Sequence, residues 1–410
     1  MTPAGEVLQR RHPSADLQLP KTKNPAPEIF LWTRAAIWAA AVFAFLLLAP
    51  NPRAGIWDRR VTHDLGLFTD VWARWDSVFF LRIAEHGYHA ASDAAFFPFY
   101  PLLAGIAGRV FGGHYVLGGV AVSLLACLGA FCLLYRVAEA RLGVEGGRRA
   151  VLYLALFPMT LFFQSVYSES LYLLLALAAF VLAERARFPE AAAVTGLALL
   201  TRPAALALLP PLVLLAWRAP HRLRALATLL VAPAVFCVFP LVLWLQTGHP
   251  WAFASAQSRW HRSLSPAGPL GGVWDGLRAG SAGVEQLMSG SHTHRYWKPV
   301  QDLDPMRVAA LNLEMLAFLI LFAVLTVIVW RRFGAPYGLF AATSLAIPLS
   351  VPSEHWPLLS LPRFGVVVFP FFLALAVVGR RRQSHTAIVG VSSLLLGIAV
   401  TQWALWYWVS

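Results

Sequence analysis

Lysine is nearly missing from these 410 residues, occurring only as Lys21, Lys23 and Lys298, and charge of either sign is scarce. Charged residues make up 13% of the chain against 58% hydrophobic ones, and the mean hydropathy is +0.62. A soluble domain carries about 25% charged residues, so this balance excludes one. Cysteine is limited to Cys127, Cys132 and Cys237, all within apolar runs. They supply neither a disulfide framework nor metal-ligand spacing, and side-chain packing accounts for them. A Gly-x-Ser-x-Gly elbow is also missing, which removes the serines as hydrolase nucleophiles. No internal repeat is visible. Arginine in place of lysine, with abundant alanine and leucine, fits a high-GC bacterial genome.

What fills the chain instead is a succession of apolar runs separated by short basic clusters. A spanning helix needs about 20 apolar residues. The net charge of +13 points to nucleic acid only if the basic residues share a face, and here they punctuate the apolar runs. That pattern is positive-inside topology with anionic-lipid contact, so membrane lipids are expected partners and nucleic acid is not. Residues 1–29 are polar and Pro-rich, and the run Phe30–Ala49 that follows lacks a small-residue cleavage site. They read as a disordered cytoplasmic tail before a single transmembrane domain, 30–410. The run Phe96–Phe111 is broken by Pro98 and Pro101. If it lies along the outer face, Arg34, the cluster Arg136, Arg141, Arg148 and Arg149, the pair Arg331 and Arg332, and Arg380–Arg382 all fall on the side of the basic tail. The sequence therefore predicts an all-α polytopic membrane protein of about eleven transmembrane helices. Its N-terminus is inside and its C-terminus outside. Two long outer loops, 50–114 and 246–307, carry the conspicuous polar residues.

Outer-face carboxylates near a bilayer are costly to desolvate and call for a functional reason. Asp76 follows Arg74 and Trp75 and precedes Glu85, His86 and Tyr88; it is the candidate catalytic group. Trp75 equally suits the aromatic belt of an interfacial helix. Tyr100, in Phe96-Phe97-Pro98-Phe99-Tyr100-Pro101, suits either a helix entry or a groove for a sugar or lipid chain. Glu169 begins a span, where it meets the helix dipole; on the face of Asp76 it is also a candidate acceptor-hydroxyl partner or divalent-ion ligand. Arg202, at the apex of a short hairpin, and Arg363, at the head of a late span, are positive charges on the wrong side of the charge rule. Interfacial snorkelling explains them, and so does a bound phosphate. Gln257, Trp260 and Arg262 form an outer-loop cluster suited to carbohydrate contact. His292 and His294 lack an acidic partner at metal-site spacing, and no residue is assigned as a metal ligand.

These blocks, Arg74-Trp75-Asp76 with Ile83-Ala84-Glu85-His86-Gly87-Tyr88, the Phe96–Leu102 stretch, Leu156-Phe157-Pro158 with Tyr167-Ser168-Glu169-Ser170, and Leu199-Leu200-Thr201-Arg202-Pro203, resemble the PIG-V-like mannosyltransferases. Those are relatives of the second mannosyltransferase of GPI-anchor synthesis, within the GT-C glycosyltransferase superfamily. Gln257, Trp260, Arg262 and Pro362-Arg363-Phe364 extend the likeness. Where the familiar pattern often has Tyr or Trp, Phe79 and Phe80 stand here. The resemblance implies a polyprenyl-phosphate mannose donor, a glycolipid or glycan acceptor, an inverting transfer and Asp76 as the catalytic aspartate. It places the site on the outer face of a bacterial plasma membrane, where no nucleotide is expected; whether a divalent cation is needed stays open. Three other readings stand beside it. One is a GT-C enzyme using another polyprenyl-linked sugar. Another is a lipid-linked-sugar transporter, which would hold its charges at mid-membrane with internal repeats. The third is a binding or assembly subunit that kept the fold and lost catalysis, against which Asp76 and Glu169 argue.

Overall fold

The computed structural model describes residues 22–51, 59–256, 261–300 and 303–409. The described chain is almost entirely helical, with no β-strand beyond one isolated bridge between Arg262 and Ser353. Among the described residues, five helices are long and apolar enough to cross a membrane: Ala26–Leu47, Tyr115–Leu156, Arg222–Thr247, Pro305–Phe333 and Arg382–Ala404. Shorter apolar helices, among them Phe188–Leu199, Ala335–Leu349 and Phe369–Val378, pack between them. The first helix begins at Ala26, four residues ahead of the expected first span, with Asn24 accepting from the Ala26 amide at its start.

Two ends of the bundle can be told apart by their polar contacts. At one end Thr22 reaches Glu139, Arg141 pairs with Glu184, and the Tyr153 hydroxyl meets His385 Nδ1 at 2.8 Å. The basic cluster between the second and third expected spans lies there. Gly143, at φ 76°, breaks the long Tyr115–Leu156 helix within that cluster, a left-handed turn that a residue with a Cβ adopts only at a cost. At the opposite end the Asn51 amide donates to the Leu405 carbonyl, and the Arg74 guanidinium covers the Trp406 ring at 4.1 Å.

Three local readings change. Arg34, assigned by charge to the side of the basic tail, is buried mid-helix and donates to the carbonyls of Ala155 and Thr160, each at 2.9 Å. The helix break at Phe157-Pro158 frees those carbonyls, and in an apolar interior an arginine is a fitting donor to them. The Phe99–Val110 helix does not lie across the outer face. It packs antiparallel along the start of the next helix, with Tyr100 beside Gly119 and Ser123 and Gly108 against Tyr115. At 12 residues it is about 18 Å long, short of a bilayer. Finally, the 246–307 loop contains a 21-residue helix, Pro269–Ser289, that lays Gly272, Gly276, Gly280 and Gly283 against Leu349, Leu358, Leu316 and Ala309.

Candidate active site

At the Arg74–Trp406 end, a cavity of about 250 Å³ opens between the Ser77–His86 helix, the turn at Thr201-Arg202-Pro203, the end of Ala335–Leu349 and the short helix Leu361–Gly365. Its charged lining is Asp76, Arg202, Arg262 and Arg363; its apolar walls include Phe80, Phe96, Phe97, Ile347 and Phe364.

Asp76 caps the Ser77–His86 helix by position but makes no side-chain cap bond. Its carboxylate turns instead to Arg363, whose Nη1 donates to Asp76 Oδ2 at 2.9 Å. The same guanidinium donates from Nε to Glu169 Oε1, and Arg202 Nη1 lies 3.0 Å from that oxygen. Glu169 is wholly buried beneath the cavity floor, whereas the Asp76 side chain keeps 24% of its exposure. One carboxylate thus anchors the arginines and the other meets the cavity. Arg363 lies over the rings of Tyr167, at 4.5 Å, and Phe162, at 4.9 Å. Burial opposes its charge, but Glu169 and Asp76 outweigh burial and hold its pKa above the ordinary arginine value.

Arg262 differs from the other two arginines. It donates to the carbonyls of Val351, at 3.3 Å, and Leu359, at 2.7 Å, and lies over Phe364, but none of its described contacts is to a carboxylate. Burial, then the repulsion of Arg363, pushes its pKa down to about 10, which still leaves it charged at neutral pH. The cavity therefore sets three arginines against two carboxylates, an excess of positive charge facing a partly apolar space.

The other residues singled out from the sequence fall into three groups. Tyr100 and Tyr88 stand one layer behind the wall: the Tyr100 hydroxyl bonds Ser123 Oγ at 2.8 Å with its ring edge-on to Phe80, and the Tyr88 hydroxyl donates to the Phe96 carbonyl at 2.6 Å. Arg74 is buried over Trp406 and donates to the Asp70 carbonyl, and Trp75 packs edge-on to the same indole; neither lines the cavity. Glu85 and His86 are exposed, 3.6 Å from each other, and lie outside the cavity wall. The reason is helical: Glu85 is nine residues past Asp76, half a turn out of phase with it. Gln257 and Trp260 lie outside the described residues. Glu169 is a poor place for a divalent ion, because two guanidinium groups already meet its Oε1 and would repel a cation. The residue passed over by sequence reasoning is Tyr167, which sits under Arg363; its position two residues before Glu169 was the available signal.

Residues 60–209 match the family model described as Mannosyltransferase (PIG-V). Over that segment the chain resembles the PIG-V mannosyltransferases. The matched segment holds Asp76, Tyr167, Glu169 and Arg202, while Arg262 and Arg363 lie beyond it. Among curated proteins, none matches the sequence. Similar solved structures include the oligosaccharyltransferase AglB of Archaeoglobus fulgidus in complex with an inhibitory peptide and a dolichol-phosphate, at 13% identity and a TM-score of 0.43. That match covers 92% of this chain and 56% of the other, so this chain spans little more than half the length of the archaeal protein. ArnT from Cupriavidus metallidurans in the apo state is similar at 15% identity and a TM-score of 0.41, covering 92% of this chain and 77% of that one. Likeness at this level carries no argument about substrate or mechanism.

Proposed function

We propose that the protein is a GT-C-type mannosyltransferase. It moves mannose from a polyprenyl-phosphate donor to a lipid-linked or glycan acceptor on the outer face of a bacterial plasma membrane. The observation that carries this reading is the pairing of a partly exposed carboxylate, Asp76, with a surplus of arginine in a cavity with apolar walls. A sugar attached to a lipid phosphate presents an anion, a hydroxylated ring and a hydrocarbon chain, and the cavity offers a counterpart to each.

In the transfer, Asp76 accepts the proton of the acceptor hydroxyl as its oxygen attacks the anomeric carbon from the face opposite the phosphate. The bond from the anomeric carbon to the phosphate oxygen breaks, and polyprenyl phosphate leaves with the electron pair. Arg262, which has no carboxylate among its contacts, meets the phosphate first. Arg363 divides itself between Asp76 and the departing charge, so the donor's arrival draws the guanidinium off Asp76 and leaves its carboxylate free to meet the acceptor hydroxyl. Glu169 keeps Arg363 and Arg202 in place throughout.

The topology that accompanies this reading has about eleven spans, with the N-terminus inside and the C-terminus outside. The contacts at 22–24 and at 405–406 fall at opposite ends of the bundle, in support of it. The test is sugar transfer by purified protein from synthetic polyprenyl-phosphate mannose to mannosylated lipids, with the anomeric configuration of the product read by NMR. An inverted mannoside is expected. Transfer only from a different polyprenyl-linked sugar would replace mannose in the proposal, and donor binding without transfer to any acceptor would favour transport.

A further inference from the structure

Trp75, immediately before Asp76, has a backbone φ of 52°. For a bulky residue this left-handed conformation is a true outlier, costing on the order of 1–2 kcal/mol. The two peptide groups flanking it are held by one side chain. The Tyr167 hydroxyl donates to the Arg74 carbonyl at 3.2 Å and accepts from the Asp76 amide at 3.1 Å. Each flank of the strained residue is thereby tied to the same oxygen.

Tyr167 is itself fixed. Its ring is packed by Phe80, Phe162 and Trp403, and its own carbonyl accepts from Ser123 Oγ, which is bonded to the Tyr100 hydroxyl. Burial first, and Asp76 next, raise the pKa of its hydroxyl well above the ordinary tyrosine value, so it stays a donor at working pH.

We infer that Tyr167 is a positioning residue: its hydroxyl clamps Trp75 in the left-handed conformation and so aims the Asp76 carboxylate into the cavity. Resting on the reading of Asp76 as base, this gives the strain at Trp75 a purpose. A relaxed residue at 75 would swing the peptide that begins Asp76, and with it the carboxylate that Arg363 now holds.

The experiment is a double-mutant cycle on transfer kinetics, with polyprenyl-phosphate mannose as donor and a mannosylated lipid as acceptor. Asp76→Asn is run first; if it retains activity, the reading of the base is at fault and not the clamp. Tyr167→Phe keeps the ring beneath Arg363 and removes only the hydroxyl. It is expected to lower kcat about tenfold or more, with the donor KM within about twofold, as two lost hydrogen bonds would. Trp75→Gly removes the cost of the left-handed conformation, so in that background Tyr167→Phe should cost no more than about twofold. Trp75→Asn serves the same purpose should the glycine variant fail to fold. An equal loss in both backgrounds would overturn the inference, as would a Tyr167→Phe enzyme that loses thermal stability but keeps its kcat.

Discussion

Arg363 donates from Nη1 to Asp76 Oδ2 at 2.9 Å across 287 residues of sequence, and from Nε to Glu169. Two carboxylates from the first half of the chain are therefore organised by one guanidinium from its end. Lysine, with a point charge on a flexible stem, cannot hold both in this fork. Arg363→Lys should lower kcat/KM by about a hundredfold. Glu169→Ala should destabilise the protein by about 3–5 kcal/mol, because Arg202 and Arg363 are left buried without their counter-charge. Steady-state kinetics and thermal unfolding in detergent measure the two effects; an unchanged unfolding temperature for Glu169→Ala would refute the anchoring role.

Of the three arginines lining the cavity, Arg262 is the one whose described hydrogen bonds go to carbonyls and whose described contacts include no carboxylate. Arg262→Ala should raise the donor KM about tenfold, the value of one charge-assisted hydrogen bond, and should weaken the salt dependence of that KM. A donor KM identical to that of the wild type at low and high salt would remove Arg262 from phosphate binding.

Arg34 satisfies carbonyls released at the Phe157-Pro158 break. Arg34→Leu should cost about 2–5 kcal/mol, since the carbonyls of Ala155 and Thr160 would be left buried without donors. Chemical or thermal unfolding reports it, and a neutral outcome would show that other groups can cap the break.

Gly105 lies where a Cβ would stand 2.5 Å from the Ala84 carbonyl, at the contact between Phe99–Val110 and the Ser77–His86 helix. Gly105→Ala should cost about 1–3 kcal/mol through overpacking and reduce transfer by moving the helix that Asp76 heads. Wild-type stability and rate together would show that this contact gives way freely.

Sequence alone brought Asp76, Glu169, Arg202 and Arg363 to one end of the bundle, because charge alternation sorts loops to sides without knowledge of packing. It could not reveal that Glu169 is buried beneath the arginines while Asp76 meets the cavity, since that depends on how the Glu169–Glu184 helix is rotated. The burial of Arg34 was illegible for a related reason: charge sorting assigns a side and not a depth, and a helix break that needs a donor is a tertiary event. Glu85 and His86 drew notice by proximity to Asp76 in sequence, and the helical period takes them to another face. Tyr167 reads as one more aromatic in an aromatic-rich chain until its hydroxyl is seen on both flanks of Trp75.

Asp76 carries the central claim, and the direct measurement is transfer from polyprenyl-phosphate mannose by wild type and by Asp76→Asn, which keeps the shape of the side chain and removes its basicity. The account predicts a variant that folds, binds donor and loses activity by about 10²–10⁴, the range of a positioned general base. A folded Asp76→Asn protein that transfers mannose at the wild-type rate would contradict it.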